Sequence, residues 1–121
     1  MPSSHRSIQD STTTLPLSDG DRDFEQEFDA PGLSSSTSTH TRPYLSYRVN
    51  PGDDSGVRVV MELNGTEIVD QTIDTTVSRT FNEIFDHGIL QANGNELRVF
   101  VPDNEPGTVS VSDLVVVYTA T

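Results

Sequence analysis

Residues 57–71, VRVVMELNGTEIVDQ, contain the clearest structural pattern in this chain of 121 residues. Every second side chain from residue 57 to residue 63 is apolar, and this period of two predicts a strand with one buried face. Asn64-Gly65 follows at once and tolerates the positive φ angles of a tight turn, so we expect a hairpin that returns through residues 67–71. The alternating apolar residues are Val57, Val59, Met61 and Leu63.

Similar alternation predicts strands on both sides of this hairpin. Residues 44–49 and 96–101 alternate in the same way, and turn residues flank both segments. Residues 23–30 alternate more weakly and favour a strand over a helix, because Pro31-Gly32 ends the run abruptly. Residues 79–85 fit either a short helical turn or a bulged strand. Six to eight short strands with regular turns predict an all-β, antiparallel, jelly-roll-like β-sandwich.

The last predicted strand, residues 107–119, contains two apolar runs that are out of phase. Val109 and Val111 share one phase, whereas the apolar residues from Leu114 onward share the other. The slip at Ser112-Asp113 predicts a β-bulge. The alternative keeps a single phase and turns Asp113 towards the core, which is unfavourable for a carboxylate without a partner.

Residues 1–21 are predicted to form an extended, low-complexity N-terminal arm ahead of a sandwich domain at residues 22–121. A polar segment of this kind cannot bury enough apolar surface to offset its ordering entropy. We therefore expect other protein subunits, such as further copies in a homo-oligomer, to hold the arm. Residues 34–41 are predicted to be a Ser/Thr-rich loop. The candidate partner-binding residues in the arm are Ile8, Leu15, Pro16 and Leu17.

Composition adds a charge argument. The chain has 19 acidic residues, 7 basic residues that are all arginine, and a formal charge of −12. Self-repulsion at this charge destabilises a compact state at low salt, and the penalty fades when salt screens it. The composition resembles that of haloarchaeal proteins. The alternative is an acidic mesophilic protein from a high-GC genome, in which arginine replaces lysine.

The same composition argues against several classes of protein. A nucleic-acid binder needs a basic stripe, which seven scattered arginines do not provide. Without cysteine there is no disulfide framework and no thiolate chemistry. No segment is long enough to span a membrane, and no secretory signal is visible. We therefore expect a protein that is cytoplasmic or leaves the cell by another route, such as release of virus particles by lysis. A virion or extracellular location in a high-salt environment is the one that we favour.

Residue patterns that carry chemistry are weak in this sequence. No Gly-x-Ser-x-Gly elbow or acid/base pair is present, so we expect no enzyme, no catalytic residue and no cofactor. Asp19, Asp21 and Asp23 alternate as the ligands of a calcium loop do, but the sixth and twelfth positions are Phe24 and Ala30. They are weak metal candidates, and a solvated acidic turn is the alternative.

Asn64-Gly65-Thr66 also forms a glycosylation sequon. A tight turn explains the Asn-Gly pair equally directly, and the turn is the interpretation that we favour.

The chain resembles galactose-binding-like jelly rolls, the sandwich of many carbohydrate-binding modules, over roughly its second half. The residues that carry the resemblance are the Asn64-Gly65 hairpin, the Phe-rich stretch 81–85, the Gly94-Asn95 turn into residues 96–99, and the closing strand 109–118. The resemblance implies a sandwich. Sugar-binding members present Trp or Tyr platforms, whereas this chain has no Trp and three Tyr in predicted strands.

Two functions follow as hypotheses. The first is a non-enzymatic structural protein of a halophilic assembly, a virion decoration or minor capsid or tail protein whose arm docks on neighbouring subunits. The alternative is a carbohydrate- or cell-surface-binding module, which adds a glycan to the expected partners. An aromatic cluster exposed on one face of the sandwich would favour the second hypothesis.

Overall fold

The computed structural model describes residues 3–17, 20–34, 42–51, 56–73, 77–102 and 107–120. These residues form short strands and one 3-10 helix, His87–Ile89. No helix among them is long or apolar enough to cross a membrane. The strands are β1 (Ser3–Gln9), β2 (Thr13–Leu15), β3 (Asp23–Phe28), β4 (Tyr44–Asn50), β5 (Val57–Leu63), β6 (Thr66–Ile73), β7 (Arg79–Ile84), β8 (Asn95–Phe100) and β9 (Val109–Thr119).

The strands form two antiparallel sheets, which confirms the predicted all-β sandwich. Sheet A has the order β1-β9-β4-β7, with β2 also paired to β9, and sheet B has the order β3-β8-β5-β6. The predicted strand at residues 23–30 is β3. Of the two alternatives for residues 79–85, the strand is the correct one. Apart from the hairpin of β5 and β6, neighbours in each sheet are distant in sequence, so the fold depends on long-range pairing.

The predicted hairpin 57–71 forms one side of sheet B, with β5 inside the sheet and β6 at its edge. The apolar face of β5 is at most 1% exposed, since it packs against the inner face of sheet A in one hydrophobic core. Asn64 and Gly65 have φ angles of 52° and 85°. Positive φ at both residues matches a primed two-residue turn, which confirms the turn expected from Asn-Gly.

The side chain of Asn64 also ties this turn to the neighbouring elements. Its amide nitrogen donates to the Ile89 carbonyl at 2.8 Å and to Asn95 Oδ1 at 3.0 Å, and its Oδ1 accepts from the Glu96 amide at 2.8 Å. Both amide hydrogens are therefore engaged. Attaching a glycan to this nitrogen would displace at least one of these bonds, which favours the turn interpretation of the sequon.

The predicted bulge lies in β9. Asp113 has a φ angle of 53° and is exposed, while Leu114 is fully buried. The register between β4 and β9 shifts between Ser46 and Arg48, opposite the bulge. One extra residue thus lets both apolar runs of β9 face the core while the carboxylate stays in water.

The N-terminal segment differs from the expected arm. β1 and β2 both pair with β9, so residues 3–15 belong to sheet A. The division of the chain between residues 21 and 22 stays a prediction. Strand pairing is made by backbone groups, and β9 is 11 residues long. Its edge therefore accepts a polar strand that lacks an apolar pattern of its own.

Polar contacts hold the turn between β1 and β2. The buried Gln9 side chain donates from Nε2 to Thr13 Oγ1 at 2.9 Å and to the Ser11 carbonyl at 3.0 Å. Its Oε1 accepts from Gln26 Nε2 at 2.7 Å. Because Gln26 lies in β3, this amide pair links the edge of sheet A to the edge of sheet B.

Candidate binding groove on sheet A

The outer face of sheet A presents an aromatic ring, hydroxyls and an amide to solvent. Alternation in β4 buries Leu45, so its neighbours Tyr44 and Ser46 lie on the outer side. Ser46 is paired with Val115 of β9 on one side and with Asn82 of β7 on the other. Side chains from three strands therefore meet at one place on this face.

These side chains line a groove of about 340 Å³. We call this cavity the sheet-A groove. Tyr44 and the valines of β9 form an apolar surface, while the polar groups come from the flanking strands β1, β4 and β7. A mainly apolar concavity with a few convergent polar groups is the usual design of a small-ligand site. The lining residues are Ser4, His5, Tyr44, Ser46, Asn82, Val115 and Val117.

The groove suits a hydroxyl-rich ligand that also has apolar faces. The Asn82 amide both donates and accepts hydrogen bonds, and the Ser46 hydroxyl does the same. The Tyr44 ring is half-buried, so it offers an apolar surface with a polar tip. The lining contains no carboxylate. The chemistry available is hydrogen bonding and apolar contact.

Charge is distributed unequally between the two sheets. The strands of sheet A hold three arginines and two carboxylates, Glu83 and Asp113. Those of sheet B hold two arginines and seven carboxylates, three in β3, two in β6 and one each in β5 and β8. Neither carboxylate of sheet A lines the groove. The carboxylates of the described strands therefore lie away from the groove.

Two arginines organise the outer face of sheet B. Arg58 donates to both carboxylate oxygens of Asp70, at 2.8 and 2.7 Å, and this hydrogen bonding lowers the pKa of Asp70. Arg98 donates to Asp23 at 3.0 Å and to Glu62 at 3.4 Å. The hydrogen bond that Arg98 donates to Asp23 is the main cause that raises the pKa of Arg98. These pairs are well exposed and contribute little stability each.

A second cavity, of about 360 Å³, lies beside β3 and β8. Two of the weak metal candidates, Asp21 and Asp23, line it, and Asp19 lies outside the described residues. Asp23 is already paired with Arg98, whose guanidinium lies 4.2 Å from the centre of the Phe100 ring. The described residues contain no group of three or more carboxylates or histidines placed to hold a metal ion.

The predicted partner-binding residues of the arm contact their own domain. Leu15 is fully buried in the core, and Ile8 and Leu17 pack against it. Pro16 follows Leu15 through a cis peptide bond. Docking of these four residues on a neighbouring subunit stays a prediction, and it competes with the intramolecular packing described here.

Sequence reasoning missed the groove. Tyr44 and Ser46 were assigned to a strand, but nothing in the sequence says which strands flank it. The available signal was the alternation in residues 44–49, which places Tyr44 on the face opposite Leu45. His5 and Asn82 carried no signal, since 76 residues separate them in the sequence.

No protein-family model matches the chain, and no curated protein matches it in sequence. Solved structures match its fold. A family 35 carbohydrate binding module from Clostridium thermocellum has a TM-score of 0.55 and 14% identity, with 97% of this chain and 99% of that chain covered. A beta-porphyranase of glycoside hydrolase family 86 from Bacteroides plebeius has a TM-score of 0.57 and 14% identity, covering 98% of this chain but 21% of that chain.

A third solved structure also matches nearly all of this chain at low identity. Dimeric latent PorU from Porphyromonas gingivalis has a TM-score of 0.57 and 12% identity, with 95% of this chain and 11% of that chain covered. At such low identity these likenesses establish the fold alone. The chain is a β-sandwich of the kind found in carbohydrate-binding modules, as the resemblance in its second half implies.

Proposed function

We propose that this protein is a non-catalytic carbohydrate-binding module that holds a glycan in the sheet-A groove. The observation that carries the proposal is a groove without carboxylates, with Tyr44 beside Ser46 and Asn82, in a chain of charge −12. The likeness of the fold to a carbohydrate-binding module supports it. Tyr44 is a single half-buried aromatic side chain in this groove, whereas the second hypothesis looked for an exposed aromatic cluster.

Recognition would combine apolar contact with hydrogen bonding. A sugar ring has C–H groups on its face and hydroxyls at its edge. The ring face would lie on Tyr44 and the valines Val115 and Val117, while hydroxyls exchange hydrogen bonds with Asn82 and Ser46. Binding energy would come from a few desolvated contacts at the centre of the groove, and Tyr44 would dominate it.

The assembly hypothesis depends on the arm, and the arm packs on its own domain. Neither the fold nor the compared structures support a virion or capsid role. The findings therefore favour the binding module over the structural protein. An extracellular, high-salt location is retained as part of the proposal, because polymeric glycans are found outside cells and the composition suits high salt.

A glycan array probed with the full chain, followed by isothermal titration calorimetry, tests the proposal. We expect saturable binding, and we expect Tyr44→Ala to weaken it by about tenfold or more. Arg58→Ala on the outer face of sheet B is the matched control and should bind as the parent does. Failure to bind any glycan on a broad array, or full affinity in a folded Tyr44→Ala variant, would refute the groove as a glycan site.

A further inference from the structure

Strand β7 ends sheet A with an edge that no other described strand covers. Among the described strands it is paired with β4 alone. The Phe85 amide, next to β7, donates to the Pro43 carbonyl of the chain that leads into β4 at 3.1 Å. Because backbone direction alternates along a strand, the even-numbered residues, Thr80 and Asn82 among them, direct their N–H and C=O groups to the open side.

This edge lacks the usual protection. Edge strands are commonly guarded by charge, and the edges of sheet B follow that rule with three carboxylates in β3 and two in β6. β7 carries one arginine and one glutamate, which balance. The large hydrophobic side chains that are exposed in the described residues, Val77 and Ile84, lie at its two ends, each 65% exposed.

The sequence of β7 is complementary to itself. When two copies are paired antiparallel about Phe81, Arg79 of one copy lies opposite Glu83 of the other. Thr80 lies opposite Asn82, and the two Phe81 rings face each other. In this register Thr80 and Asn82 direct their free backbone groups at one another, so they form the hydrogen-bonded pairs. Charge, side-chain size and backbone direction thus agree in one register.

Arg79 and Glu83 do not pair with each other in the ion pairs of the described residues. They are four residues apart on a strand, which separates their Cα atoms by about 13 Å. The Phe81 ring is held in place by Tyr47, with ring centres 5.5 Å apart, and the Arg79 guanidinium lies 5.8 Å from its centre. The edge is therefore preorganised to pair with an antiparallel strand.

We propose that β7 is a homodimer interface at which two copies of this chain join their A sheets about a two-fold axis through Phe81. The joined sheet has the order β1-β9-β4-β7-β7-β4-β9-β1. Both grooves then lie on one continuous face, an arrangement that favours avidity for a polymeric ligand. The dimer itself is independent of whether the groove binds a glycan.

Analytical ultracentrifugation of the full chain tests the interface, in about 0.5 M NaCl to screen the repulsion between acidic copies. We expect the parent to be a reversible dimer. Arg79→Glu places like charges opposite each other, as does Glu83→Arg, so each variant alone should dimerise at least about tenfold more weakly. An equimolar mixture of the two variants, and the double variant Arg79→Glu/Glu83→Arg, should regain the parent association.

Two further variants complete the experiment. Thr80→Pro removes an N–H that faces the open edge without touching the bonds to β4, so it should abolish dimerisation while thermal unfolding shows a folded domain. Arg58→Glu makes the same charge change on sheet B and should dimerise as the parent does. A monomeric parent at millimolar concentration, an unaltered dimer in either single variant, or a mixture that fails to regain association would overturn the proposal.

Discussion

The two sheets share one core, but their strands differ in charge. The strands of sheet B carry seven carboxylates and two arginines that pair with some of them, whereas those of sheet A carry more arginines than carboxylates. The groove lies on the face that is poor in acid. Net charge therefore describes this protein as a whole without describing its candidate binding surface. A chain of charge −12 still offers a groove lined by no carboxylate and no arginine, in which hydrogen bonding and apolar contact decide recognition.

The sheets also differ in how their edges are completed. Sheet B is built around a hairpin of adjacent strands, β5 and β6, joined by two residues. Sheet A recruits β1 and β2 from the N-terminus, and they pair with β9, which is the last strand. Leu15 anchors them in the core. The stability of sheet A should therefore depend on its N-terminal segment. The contribution of the charged outer face of sheet B to stability should depend on salt concentration.

The largest expected effect is a loss of stability when the N-terminal strands of sheet A lose their anchor in the core. Leu15→Ala removes a fully buried side chain at the end of β2, so it should lower the free energy of unfolding by about 3 kcal/mol. Urea unfolding measures the loss. Leu17→Ala, at a partly buried position two residues later, is the matched control and should lose clearly less. A loss below about 1 kcal/mol for Leu15→Ala would instead indicate an arm that leaves its domain.

A smaller effect on stability is expected from the repulsion between carboxylates on sheet B. Glu27 of β3 lies directly opposite Glu96 of β8 on the outer face of sheet B. Like charges in a cross-strand pair repel, so Glu27→Gln should stabilise the domain by about 0.2–1 kcal/mol in dilute buffer. At about 1 M salt the screening length is about 3 Å and the gain should vanish.

Thermal unfolding of the parent and of Glu27→Gln across a salt series provides the measurement. The parent itself should become more stable as salt rises, which also tests the high-salt environment expected from composition. Equal stability of the parent in dilute buffer and in molar salt would remove the argument for such an environment.

The smallest expected effect concerns the pair between Arg58 and Asp70. Folding lowers the pKa of Asp70 from its ordinary value of 3.8, because Arg58 donates to the carboxylate. The stability from this bond is present above the unfolded pKa and is lost as the pH falls through the lower, folded pKa. The difference in unfolding free energy between the parent and Asp70→Asn should therefore shrink as the pH is lowered through this range. A difference that stays constant with pH would show that the bond contributes nothing through ionisation.

Much of the fold could be predicted from the sequence. The alternation of Val57, Val59, Met61 and Leu63 and the turn at Asn64-Gly65 each report local backbone geometry, so the hairpin and its buried face were predictable. The bulge at Asp113 was predictable for the same reason, since a slip of phase is visible in the residues themselves. β1 was not predictable, because its contacts with β9 are made by backbone groups that every residue has.

The candidate site was much less predictable than the fold. Tyr44 could be placed on the outer face of a strand, but its neighbours in the groove come from β1, β7 and β9. The pairings of β4 with β7 and β9 join residues tens of positions apart. No local pattern encodes such a pairing. The weak metal candidates show that a local pattern can also mislead. Asp21 and Asp23 are close in sequence and line one cavity, but Arg98 already pairs with Asp23 there.

The sequence alone determined the strands with an apolar period of two, the tight turn at Asn64-Gly65, the bulge in β9 and the acidity of the chain. These properties are set within a few residues by side-chain alternation and backbone sterics. Only the tertiary structure decided that the polar N-terminus completes sheet A, that carboxylates gather on sheet B, and that His5, Tyr44, Asn82 and Val117 share a groove. Those outcomes depend on which backbone edges pair across the chain, and long-range pairing follows the burial of the whole core.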